Sequence, residues 1–100
     1  SQTDSALKII QMAEVPGYQI RVLNKLRGLI YLKANDLQKS AYFFETYIKS
    51  YPKDFDALYN LALIYSVNGN MEKTMEYFNR AKAINPNSEA LKKIFPKTIR

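Results

Sequence analysis

The sequence predicts an all-α chain built from repeated pairs of helices, and three observations predict it. The first is an internal echo with a period of 34 residues: Pro52 returns as Pro86, Phe44 as Phe78, Tyr31 as Tyr65, and the small residue Gly28 as Ala62. The same register runs through Ala6, Ser40 and Thr74, through Ile10, Phe44 and Phe78, and through Ala13, Tyr47 and Ala81. The second is apolar spacing of three and four residues, which places side chains on one face of a helix. The third is that stop and start residues fall at matching joints. Self-similarity of this period marks units that cannot bury their apolar faces alone and stack to do so.

Each element follows in order. The register enters at residues 4–15, which carry Ala6, Ile10 and Ala13. Leu23, Leu26, Leu29 and Ile30 then define one helix face, and Leu37, Ala41, Phe44 and Ile48 the next. In the second copy Leu58, Leu61, Ala62 and Tyr65 are followed by Met71, Met75, Phe78 and Ala81. Each helix is about twelve to fourteen residues, too short to be stable alone in water, so neighbours must cover it. Gly69 and Asn35 are the residues that end a helix in the left-handed conformation at least cost. Asp36 and Asn70 follow at once as caps for the next helix. Pro52 and Pro86 end the second helices by pushing the preceding residue out of helical geometry. Asp54 and Ser88 offer the caps that follow. Asn68-Gly69-Asn70 is therefore a helix stop and a helix start. It is not a hairpin, since neither flank alternates with a period of two. Gly28 in mid-helix costs about 1 kcal/mol relative to Ala, so a close crossing is expected there. Gly28 should face Ser40, and Ala62 should face Thr74.

Composition narrows the function. With 100 residues, 47% hydrophobic and 24% charged, the chain can form one small domain or a few repeats. It has no cysteine and no histidine, which removes disulfides, thiolate zinc sites, thiol nucleophiles and the usual general base. The formal charge of +6 favours acidic partners. No stretch reaches the eighteen or so apolar residues of a membrane span. The start, SQTDSALKII, lacks Met and has no signal-peptide pattern, so a processed chain or a piece of a longer one is expected. Localisation is left open, cytoplasmic only by default, since an address signal could lie outside these residues.

The unit FDALYNLALIYSVNGNMEKTMEYFNRAKAINPNS (55–88) resembles a tetratricopeptide repeat, a helix-turn-helix of 34 residues. Leu61, Ala62, Tyr65, Gly69, Phe78, Ala81 and Pro86 stand in family order. In the unit 21–54, Gly28, Tyr31, Phe44 and Pro52 agree, while Arg27 replaces the usual leucine and Tyr47 the usual alanine. Residues 4–15 look like the second helix of a partial repeat and 88–95 like a capping helix, with 96–100 a tail after Pro96 stops it.

The resemblance implies a right-handed α-solenoid of antiparallel helix pairs whose first helices line a concave groove. It implies a non-enzymatic protein–protein interaction module or scaffold, without cofactor or metal, part of a larger protein or assembly. The groove would present Val22, Lys25, Leu29, Leu32 and Lys33 from one unit and Tyr59, Asn60, Leu63 and Val67 from the next. Of these, Lys25, Leu29, Lys33, Tyr59, Asn60, Leu63 and Val67 are the candidate partner-binding residues. Apolar side chains would meet Leu29, Leu63 and Val67. Tyr59 would stack, and Lys25 with Asn60 would hold a carboxylate. The expected partner is a protein or peptide, its acidic character favoured by the net charge. Two full repeats leave apolar end faces thinly covered, so self-association through an end is also expected. A secretion or assembly chaperone holding an unfolded segment is the alternative use of the same groove. A nucleic-acid-binding helical repeat is a further one, against which the acids interspersed among the basic residues weigh. The family's grip on chaperone C-termini is matched only at Lys25 and Asn60. Leu29, Ala90 and Ile94 replace the other three polar positions.

Other patterns have plainer readings. The Asn68–Glu72 run lacks the aspartates and distal Glu of a calcium loop. Glu72 and Glu76 share a face with Lys73 and Arg80 nearby, as on a solvated helix. In Tyr42-Phe43-Phe44, Phe44 is core by register and Phe43 is expected against a neighbouring helix. Lys92, Lys93, Lys97 and Arg100 form a basic end, and no glycine-rich phosphate loop or nucleophile elbow is present.

Overall fold

A computed structural model describes residues 20–94, together with Thr3. The helix expected at 4–15, Phe95 and the tail 96–100 lie outside the described residues. The chain divides into two compact units, residues 1–50 and 51–100. In the first, α1 (Ile20–Lys33) pairs with α2 (Leu37–Ser50). In the second, α3 (Phe55–Val67) pairs with α4 (Met71–Ile84), and α5 (Glu89–Ile94) follows. Every element among the described residues is helical.

The joints form as their residues dictate. Asn35 and Gly69 are the positive-φ residues, at 62° and 79°. At the first, the Asp36 amide donates back to the Tyr31 carbonyl and the Asn35 amide to Leu32. At the second, Asn70 donates to Tyr65 and Gly69 to Ser66, the same bonds 34 residues on. The left-handed residue satisfies carbonyls that the helix end would otherwise leave open. All four expected caps are made. Asp36 accepts from the Lys39 amide, Asp54 from Ala57, Asn70 from Lys73 and Ser88 from Leu91. Before Pro86, Asn85 takes φ −138° and ψ 83°, which ends α4 at Ile84.

The pairs are antiparallel, as the partners in the first unit show. Lys25 meets Tyr47, Gly28 meets Phe44, and Tyr31 meets Lys39 and Phe43. At the Gly28 crossing a Cβ would lie 2.9 Å from three atoms of the Phe44 ring, so only glycine lets the ring seat there. The Ser40 hydroxyl donates to the Gly28 carbonyl at 2.7 Å, which bears out the expected facing. At the corresponding place in the second unit Ala62 and Thr74 are both fully buried. The Thr74 hydroxyl, however, donates to the carbonyl of Asn70, the residue that caps its own α4. The core of the second unit is Ala57, Leu58, Leu61, Ala62, Ile64, Tyr77, Phe78, Ala81 and Leu91; that of the first is Leu23, Ala41, Phe44, Tyr47 and Ile48.

Three residues placed on apolar faces by spacing are exposed instead, Leu26, Leu29 and Met71; Leu29 is also a groove candidate. Leu26 stands about 40° from Val22 around α1, at 100° per residue, on the side away from α2. Met71 is the first residue of α4, where no preceding turn shields it.

Candidate functional site

The candidate residues fall on the first helix of each pair, three in one unit and four in the other, and each set is described within its own unit. On α1, Lys25, Leu29 and Lys33 recur at four-residue steps and share one stripe. Val22 and Leu26 complete it. Gly28 and Tyr31, on the opposite side, meet α2, so the stripe looks away from the helix pair. Val22 is 41% exposed, Leu26 45% and Leu29 37%, an aliphatic strip left uncovered. Lys25 sits at its border. Its ammonium lies 5.9 Å from the centre of the Tyr47 ring, so it carries a cation–π contact besides any ligand role.

On α3, Tyr59, Leu63 and Val67 recur at four-residue steps with Asn60 beside them. Tyr59, Asn60 and Leu63 are half-buried, and Val67 is 67% exposed. Phe55, one turn before Tyr59, stacks on it with ring centres 6.2 Å apart. Sequence reasoning passed over Phe55, although its place four residues before Tyr59 was the available signal. The α3 face thus begins in an aromatic pair and ends in an exposed valine. Asp56 is the charged residue of α3.

A second feature was also missed. In the first unit Lys39 lies over Tyr31 (5.4 Å), Tyr31 stacks on Phe43 (5.5 Å, 2° between planes) and Arg27 lies over Phe43 (5.9 Å). In the second, Lys73 lies over Tyr65 (5.1 Å), Tyr65 stacks on Tyr77 (5.9 Å, 18°) and Arg80 lies over Tyr77 (5.6 Å). Both helices of each pair contribute, so these stacks latch the pair and hold the outward face of its first helix at a fixed angle. The signal was legible as a 34-residue recurrence of a lysine, a tyrosine and an aromatic residue. Phe43 meets Tyr31 of its own pair, as a ring packed against a neighbouring helix.

Phe44 is core as expected, and Tyr42 is exposed beside a depression of about 550 Å³ with Asp36, Gln38 and Lys39. Glu76 pairs with Arg80 at 3.8 Å, a surface contact worth under about 1 kcal/mol. No helix of the described residues is long and apolar enough to cross a membrane.

Two tetratricopeptide repeat family models match the chain, one over residues 26–54 and one over 55–88. Neither the curated proteins nor the solved structures yield a significant match to it. Tetratricopeptide repeats are generally protein–protein interaction modules without enzymatic activity of their own. With the paired helices, the small-residue crossings and both matched repeats in one register, the chain belongs to the tetratricopeptide repeat family.

Proposed function

We propose that this chain holds a peptide or helix of a partner protein on the outward faces of α1 and α3. Lys25, Leu29 and Lys33 make the contacts on one face, and Tyr59, Asn60, Leu63 and Val67 those on the other. The observation that carries the reading is that Val22, Leu26 and Leu29 stand uncovered on the side of α1 turned away from its own pair, with Val67 exposed at the end of α3. An exposed apolar strip rimmed by polar groups is the usual mark of an interaction surface. The capped joints and the aromatic latches hold these faces rigid, which lowers the entropy lost on binding. The organisation that goes with this reading is a partial repeat at 4–15, repeats at 21–54 and 55–88, a capping helix at 88–95 and a tail at 96–100.

The test is affinity capture with the intact chain beside a Lys25→Ala/Tyr59→Ala/Asn60→Ala variant whose thermal melt is checked first. A partner retained by the parent and lost by an equally folded variant is the expected result. Identical partner sets from both would overturn it.

A further inference from the structure

The outward faces of the two first helices differ in charge, and the difference names a ligand chemistry. Helix α1 carries Arg21, Lys25, Arg27 and Lys33 and no acidic residue. Its first turn holds Arg21, where the helix dipole disfavours a cation. The other described helices carry an acid at their start, Asp56, Glu72 and Glu89 in the first turns of α3, α4 and α5 and Asp36 as the cap of α2, which offsets first-turn cations such as Lys39 and Lys73; α1 has none. Neither Arg21 nor Lys33 has an ion pair among the described residues, and both are exposed. Local charge that works against its own helix, next to an uncovered aliphatic strip, marks a place where folding alone does not set the sequence.

Resting on the interaction reading above, we infer that the outward face of α1 docks an acidic amphipathic helix of a partner protein. Its aliphatic side chains lie along Val22, Leu26 and Leu29, and its carboxylates meet Lys33 within the strip and the long side chains of Lys25 and Arg21 on its flank, about 70° and about 110° around the helix. The strip runs straight along the axis for about 10 Å, two turns of an apposed helix. Charge complementarity then selects an acidic partner and sets its register. A phosphate backbone would use the cations and leave the three aliphatic residues uncovered. A lipid surface is met by helices that add bulky aromatic anchors to their apolar face, and Val22, Leu26 and Leu29 include none.

The experiment titrates the full chain with a synthetic helix of about fourteen residues, leucines at i, i+4 and i+7 flanked by glutamates. Anionic vesicles and single-stranded RNA are titrated in parallel. The acidic peptide should bind, and replacing its glutamates by glutamine should weaken it at least about tenfold, as should Arg21→Glu/Lys33→Glu in the chain. Leu26→Ser should weaken it without altering its salt dependence. Glu76→Gln, on the solvated surface of α4, should leave peptide affinity unchanged. The inference is overturned if the peptide fails to bind, if the glutamine peptide binds as well, or if the charge-reversed chain binds as well. Binding of vesicles or RNA in preference to the peptide overturns it too. Loss of the peptide in Tyr59→Ala but not in Arg21→Glu/Lys33→Glu would sink the α1 assignment while leaving the broader interaction reading intact.

Discussion

In the first repeat the Ser40 hydroxyl reaches across the pair to the carbonyl of Gly28. Thirty-four residues on, Thr74 bonds back to the carbonyl of Asn70, the cap of its own helix. The crossing residue is glycine over the buried Phe44 ring in one pair; in the other the corresponding Ala62 and Phe78 are both buried. The joints and the lysine–tyrosine–aromatic stacks match between the repeats, while the arginine over each stack comes from α1 in one pair and α4 in the other. Serine can also bond a carbonyl of its own helix, as Ser66 does to Leu63, but the close crossing at Gly28 puts a carbonyl of the other helix within reach of Ser40. Threonine can bond its own i−4 carbonyl and leaves a methyl to pack. The second pair also buries more of its first helix: α3 buries Ala57, Leu58, Leu61, Ala62 and Ile64, whereas Leu23 is the buried hydrophobic of α1 among the described residues.

This comparison can be broken at several depths. Phe44→Ala and Phe78→Ala should each cost about 3–5 kcal/mol, the usual range for emptying a buried aromatic site. Chemical denaturation of both would show whether the two cores are equally needed. A loss below about 1 kcal/mol at either would mean that its ring is not the keystone of its pair. Next come the crossings. Ala62→Leu should destabilise by about 1–3 kcal/mol through overpacking, and an unchanged melting temperature would contradict the close approach. Gly28→Ala should still lose about 1 kcal/mol, because displacing the Phe44 ring outweighs the gain in helix propensity. A more stable variant would mean that the ring can shift as the second repeat allows.

Smaller effects sharpen the contrast. Ser40→Ala removes a buried bond between helices and should cost about 0.5–1.5 kcal/mol. Thr74→Val should cost less, since its bond lies within one helix, and equal losses would erase the distinction. At the turns, Gly69→Ala should cost about 1 kcal/mol and Asn35→Gly should stabilise by a few tenths, because both positions hold positive φ. Equal and opposite shifts are not expected, since asparagine already tolerates this geometry.

Much of the frame was legible because it is local. A left-handed residue before a capping residue, and a proline after a helical run, fix helix ends through bonds among near neighbours. The stops at Asn35 and Gly69 and the caps at Asp36, Asp54, Asn70 and Ser88 therefore appear where their residue types place them. Leu26 and Met71 were harder. A three-and-four spacing says which residues share a face, but not how wide the covered part of that face is. The candidate site was legible as positions on two helices. Phe55 was missed because its stacking on Tyr59 is a matter of ring orientation, and Lys25 gained a second occupation over the Tyr47 ring.

The sequence by itself determined the helices, their ends, the 34-residue register and the small residues at the crossings. Those follow from backbone geometry and apolar spacing, which act within one or two turns. Tertiary structure alone decided that Ser40 and Thr74, one register apart, satisfy their hydroxyls in different helices. It also decided that lysine, tyrosine and a second aromatic ring stack into a latch in each pair, and that the α1 strip stays uncovered. Each depends on the distance and tilt between paired helices, a few ångströms that no residue sets alone.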